Sequence, residues 1–358
     1  SPVGMCLEID IFDQSRPQIV LLDDTTTVGH SLIMDSFYNK LGAGEYFTLS
    51  SRLQLLSHEG FREAVFLESI VTERDKISEA SAPNLYSINL RSLDVRKVNT
   101  PLSYRFFYKA DPEPMEVVLR IQGILGYVSL PPVNNVFPNR VPHVQAEIGI
   151  IGFESKTFSD CVDKMHELSY FLTSATPPDT MSPWRFEQFD DKTEIRFACR
   201  YFTSGDDASA CERVEFAPGV DPAGVFERLL NARTQHGPEN HVEYSKLVVD
   251  EEDRTRSYEV TNPASFRTGD AVEVEFSMVA FPIKGGKFKL CTVLRGLTLI
   301  DESFTKNAAL ARAKAMSHMK PTPLKRKMGY SAEDAQVVVT RRKVAKLNVQ
   351  GTPMETSE

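Results

Sequence analysis

The sequence predicts a β-dominated α+β protein. It has a large antiparallel β domain with two or more helices, a smaller C-terminal β unit, and a disordered basic tail. Three observations carry this reading. Apolar and polar residues alternate over much of the chain up to Asp301, as in strands with one buried face. Twenty-two phenylalanines and eleven tyrosines stand against one tryptophan, and aromatic rings fit a pleated surface. Helical spacing of apolar residues is confined to a few stretches.

Met5–Asp13 and Pro17–Asp24 alternate as strands. Val28–Gly42 has helical spacing and a terminal glycine, which suits a helix end. Strand patterning returns in Glu45–Leu56, Gly60–Arg74, Leu85–Val98, Leu102–Ala110 and Met115–Leu130. The Pro- and Asn-rich run Pro131–His143 is a loop, and Val144–Ser155 is again a strand. Thr157–Ser174 is the strongest helix, with Thr157 or Ser159 as its cap and Phe158, Val162, Met165, Leu168 and Leu172 as its apolar stripe. Pro183–Asp191 and Thr193–Ser204 form a hairpin. Asp221–Gly237 carries helix signals at both ends: an acidic cap, Pro222 at the first turn and a closing glycine. His241–Asp250 and Arg256–Asn262 are strands.

Domain limits follow at residues 1–237, 238–304 and 305–358, with Lys320–Glu358 mostly disordered. The net charge of −8 divides unevenly: residues 305–358 hold eleven basic and four acidic side chains, leaving 30 basic against 45 acidic elsewhere. An acidic body with a basic tail points to targeting or nucleic-acid contact by the tail. Five scattered cysteines fit a reducing compartment and no disulfide frame. No apolar run reaches the ~18 residues that span a bilayer, so no membrane partner is expected. The expected setting is intracellular.

The sequence holds none of the spacings of nucleotide-binding loops, zinc proteases, CxxC sites or serine hydrolases. No catalytic residue, metal ligand or cofactor follows from it. His236 and His241 flank a turn and read as surface histidines.

The clearest pattern is "GDAVEVEFSMVAFPIKGGKFKLCTVLRGLTLID", Gly269–Asp301, two strands joined at Gly285-Gly286. Val272, Val274, Phe276 and Met278 face inward opposite Glu273, Glu275 and Ser277, and Phe288, Leu290 and Leu294 face inward opposite Lys287, Lys289 and Arg295. The hairpin resembles the first strands of an OB barrel, a fold that binds single-stranded nucleic acid. Lys284, Lys287, Lys289 and Arg295, with Phe288 among them, are candidate contacts for phosphates and bases. Lysines at a hairpin tip also serve solubility and block edge pairing, and both readings stand. In the tail, Lys325, Arg326 and Lys327, then Arg341, Arg342 and Lys343, form two clusters resembling a nuclear import signal.

The hairpin and the following "ESFTKNA" resemble intracellular proteins of unassigned activity found in mushroom-forming fungi. The resemblance implies a eukaryotic setting and carries no activity or site residue. The function expected is a non-enzymatic nuclear binding protein for nucleic acid, preferentially single-stranded, with an import receptor as the tail's partner and oligomerisation open. The alternative is a protein-interaction module that uses its acidic body.

Overall fold

A computed structural model describes residues 34, 36–45, 82–110, 115–153, 155–189, 192–249 and 256–317. The described residues up to 312 belong to one compact unit, and residues 313–317 to a second. Helix α1 (Lys40–Glu45) precedes β1 (Leu93–Asn99), β2 (Leu102–Tyr108), β3 (Leu119–Ser129) and β4 (Gln145–Ile151). Helix α2 (Lys156–Ser174) leads to β5 (Glu187–Phe189) and β6 (Lys192–Arg200). A ribbon of β7 (Thr203–Ser204) and β8 (Thr234–Gln235) is interrupted in sequence by the short α3 (Asp206–Ser209). Then follow β9 (Glu243–Val249), β10 (Arg256–Val260), β11 (Ala271–Ile283), β12 (Lys287–Asp301) and α4 (Ser303–Ser317).

Among the described residues one mixed sheet of ten strands contains a closed ring. β3 pairs antiparallel with β4, and β4 with β6. β6 meets β12 in parallel at Ala198–Val293, β12 pairs antiparallel with β11, and β11 returns antiparallel to β3. Numbering the ring's five strands along the chain gives the order 1-2-3-5-4-1, with the third and fifth parallel. That is the topology of an OB barrel. Strand β3 serves both ends of the ring, because its first half (Leu119–Ile124) faces β11 and its second half (Ile124–Ser129) faces β4.

Alternation explains the interior. Ala146, Ile148 and Ile150 of β4 and Ile195, Phe197 and Cys199 of β6 are buried, and Phe197 meets Phe276 of β11 edge-on at 4.9 Å. Such aromatic pairs add to the burial of their apolar area. Helix α2 contributes Phe158, Met165, Leu168 and Leu172 to the same core. Its cap is Ser155, whose Oγ accepts from the Phe158 N–H, in place of the expected Thr157 or Ser159.

Two additions widen the barrel. The β1–β2 hairpin joins β11 beyond the ring, at Arg105–Val279 and Tyr104–Ala280. The β9–β10 hairpin lies parallel to β12 at Gly296–Leu299, just past its contact with β6.

The β-dominated α+β class holds, with differences in detail. The expected boundary at 237/238 falls inside one sheet, because the ring takes β3, β4 and β6 from before it and β11 and β12 from after it. The Gly269–Asp301 hairpin therefore supplies the barrel's last two strands, where its pattern had resembled the first. Asp221–Gly237 is not a helix: Gly224 has φ 62°, and the Asp221 carboxylate accepts from the N–H groups of Val225 (2.6 Å) and Glu227 (2.8 Å). The segment becomes turns, a 3-10 turn at Glu227–Leu229 and β8. Leu85–Ser92 forms two 3-10 turns capped by Asn84 and Asn89 before strand β1 begins. Gly42 lies within α1 and does not end it. His236 is buried against the Phe216 ring at 4.2 Å, so it is no surface histidine. The strands expected before residue 34 and between residues 46 and 81, and the tail from residue 318 onward, lie outside the described residues.

Candidate nucleic-acid interface

The barrel's outer face is set by register. Directly paired residues in a sheet point to the same side, and successive residues alternate. Tyr127 of β3 pairs with Gly149 of β4, which pairs with Arg196 of β6. The next row runs Ser129, Glu147, Ala198 and Val293, and the next joins Gln145 to Arg200. Since the neighbours of these residues in β4 and β6 fill the core, the rows face outward on those two strands, while Val293 on β12 is itself buried. Alternation along β12 from Val293 puts Cys291, Lys289 and Lys287 on the same side. The electrostatics agree: burial pushes the Cys291 thiol up to about 11, against the pull of neighbouring Lys289 and Arg200.

Glycine makes the central row possible. With no side chain at Gly149, the Arg196 guanidinium reaches across to the Tyr127 ring, 4.0 Å from its centroid. A Cβ at Gly149 would stand 2.2 Å from Oε1 of Glu194, which occupies the space. Arg196 is ringed by carboxylates: its Nε lies 2.5 Å from Glu194 and 3.1 Å from Glu187, and its Nη1 lies 3.2 Å from Glu147. Burial alone would lower the Arg196 pKa, but these three carboxylates outweigh it and raise it. Glu194 is fully buried, and that burial pushes its carboxyl up against the pull of Arg196.

Loops border this face at two ends. Residues 130–144, joining β3 to β4, carry a half-exposed Phe137 along with Arg140 and His143. The β11–β12 turn, with Gly285 and Gly286 at φ 80° and 71°, carries Lys284 and Lys287 into solvent. These are the two loops, with the strand-two and strand-three face between them, that OB folds use for oligonucleotides.

The residues picked from the sequence divide. Lys284 and Lys287 are exposed at the tip, and Lys289 is half-buried on the outer face. Phe288 sits on the opposite side of the hairpin, edge-on to Tyr104 at 4.9 Å, with its backbone bonded to Thr180 and Ser182. Its ring is packing, not a platform. Arg295 is not a surface contact: its side chain is 12% exposed and it bonds Glu116 (2.7 Å) and Glu239 (3.1 Å). Arg105, 4% exposed, binds the same two carboxylates, closing a group of four charges whose arginines are largely buried and whose Glu239 is 38% exposed. The hairpin's expected wet face is also covered, since Glu273 is buried beside Arg120 and accepts from the Gln122 amide at 2.9 Å. The six import-signal residues, Lys325 to Lys343, lie outside the described residues.

Tyr127, Arg196 and Arg200 were missed. Their signal was present, for "TEIRFACR" alternates inward Ile195, Phe197 and Cys199 with outward arginines. What the sequence lacked was the neighbour relation between β3, β4 and β12 that makes those positions one surface.

No family model matches this chain, and no curated protein does. Among solved structures it is similar to gp2.5, a single-stranded DNA binding protein encoded by bacteriophage T7, at 14% identity over 51% of this chain and 91% of that one, with a TM-score of 0.27. A likeness of that size carries no weight, and the barrel stands on its strand pairing alone.

Among the described residues no helix is long and apolar enough to cross a membrane.

Proposed function

We propose that this chain binds nucleic acid as single strands, laid across the outer face of its OB barrel between the 130–144 loop and the lysine-bearing hairpin tip. The observation that carries the reading is the convergence of Tyr127, Arg196, Arg200, Lys289 and Lys287 on one side of a ring closed by distant segments. Such a surface pairs cations for phosphates with an aromatic ring for a base. The body's acidic balance confines binding to this patch and makes it steeply salt-dependent. The test titrates the full chain with oligothymidylate of about 16 nucleotides, the upper site size of one OB fold. Changing Lys284, Lys287 and Lys289 together to glutamine should flatten the dependence of log affinity on log salt by about 2, at ~0.7 per lost contact, and leave the melting temperature unchanged. An unaltered slope would move the contacts elsewhere. No binding by the unmodified chain at about 50 mM salt would leave the protein-interaction module as the reading.

The same proposal puts the protein in the nucleus through the clusters at Lys325–Lys327 and Arg341–Lys343, carried by an import receptor. A fluorescent fusion lacking residues 320–358 should then stay in the cytoplasm, and nuclear accumulation of that truncation would refute the address.

A further inference from the structure

The centre of the proposed face holds a cation that is already occupied. Arg196 touches three carboxylates, so the row Tyr127–Gly149–Arg196 carries a net negative charge where a phosphate would lie. The three are not alike. Glu194 is fully buried, and its Oε1 rests in the space above Gly149 with no hydrogen-bond partner among the described residues. Glu147 is largely covered, at 14% side-chain exposure, and its other oxygen accepts from the Gln145 amide at 3.1 Å. Glu187 is the outlier. It belongs to the three-residue strand β5, which holds to β6 by a short pairing, and its side chain is 41% exposed.

We propose that Arg196 is an exchanged residue: Glu187 holds its guanidinium when the face is empty and yields it to a backbone phosphate when a single strand binds. Glu187 meets the guanidinium at Nε, whose N–H also donates to Glu194, so it is the more readily displaced partner, and a phosphate can use the fork of donors that guanidinium offers to either anion. Tyr127 keeps the guanidinium plane in place, and Glu194 and Glu147 remain beneath it as a fixed counter-charge. Glu187 thereby sets affinity, because each binding event must first break its ion pair and then place a phosphate beside a released carboxylate. This inference rests on the nucleic-acid reading above.

The experiment compares the full chain with Glu187→Gln, Arg196→Lys and the double variant, titrating each with the same oligothymidylate. Glu187→Gln should bind about three- to fivefold tighter, the fold-change equivalent of a partly exposed ion pair. Arg196→Lys, which keeps the charge over buried Glu194 but loses the fork, should bind more weakly, and adding Glu187→Gln to it should restore less than the full gain. Equal gain in both backgrounds would show a general through-space charge effect and overturn the exchange. An unchanged or weakened Glu187→Gln, in a chain that does bind, also overturns it while leaving the parent reading standing. No binding by either the unmodified chain or Glu187→Gln removes both.

Discussion

Arg295→Gln is expected to cost about 3 kcal/mol of folding stability, read as a lowered urea midpoint without a change in slope. The guanidinium is enclosed by Glu116 and Glu239 and donates further to the Glu239 carbonyl at 3.0 Å. Removing one member of a buried charged group leaves its partners uncompensated, which costs roughly 3–5 kcal/mol. The lower figure applies because Glu239 is 38% exposed and so partly screened by solvent, and because Arg105 still reaches both carboxylates, at 3.1 and 2.7 Å. The group ties four separate pieces of chain: β2 through Arg105, the approach to β3 through Glu116, the turn before β9 through Glu239, and β12. A melting temperature equal to that of the unmodified chain would return Arg295 to the solvent face that simple alternation assigns it.

Asp270→Asn should do the opposite and stabilise the protein at neutral pH. Asp270 is buried at the start of β11, where it accepts from Thr305 Oγ1 (2.6 Å) and from the Arg267 N–H (2.8 Å). Burial pushes its carboxyl up to about 6, and these two donors pull against that rise without cancelling it. A folded-state value above the unfolded value of about 3.9 means the native state favours the protonated acid. Its contribution is therefore fully present below about pH 4 and is lost as pH rises through 6. At neutral pH the ionised group carries a penalty on the order of 3 kcal/mol. Asparagine keeps one acceptor for the Arg267 N–H, and the Thr305 hydroxyl can turn to accept from the new amide. Stability measured across pH 4 to 7.5 should fall with rising pH for the unmodified chain relative to the variant, because the folded state binds the proton more tightly than the unfolded chain does. A difference that stays flat over that range, or a variant less stable at neutral pH, would refute the assignment.

Much of the secondary structure was legible because the physics that makes it is local. Apolar–polar alternation in the sequence marked β2, β3, β4, β6, β9, β10, β11 and β12, although burial follows it in β6 and not in β11, which is buried on both faces, and the stripe of Phe158, Met165, Leu168 and Leu172 marked α2. Local signals also misled. Asp221, Pro222 and Gly237 look like the two ends of a helix, yet the Asp221 carboxylate folds the chain into turns and Gly224 takes a left-handed conformation between them. Arg295 escaped because a bulge opposite Glu275 and Phe276 leaves it without a cross-strand partner, so alternation counted from Lys287 no longer says where it points. The candidate face was legible only at its hairpin rim. The link from that rim to the central row of Tyr127, Gly149 and Arg196 depends on a parallel contact at a single residue pair, Ala198–Val293, which leaves no trace in either segment's composition.

The ring's order also fixes a schedule for synthesis. On the ribosome, β3, β4 and β6 emerge with Ile148, Ile195 and Phe197 uncovered, and the strands that seal them do not follow until Asp301 has been added. From Arg200 to Asp301 is about 100 residues, roughly 5–20 s of translation. For that interval the nascent chain presents a half-built barrel, open along β3 and covered along β6 only by the three residues of β5, a state that invites wrong strand partners and chaperone capture. Ribosome-bound chains that stop short of β12 are therefore the species in which this protein is most exposed to misfolding, and a premature stop before residue 271 strands it there.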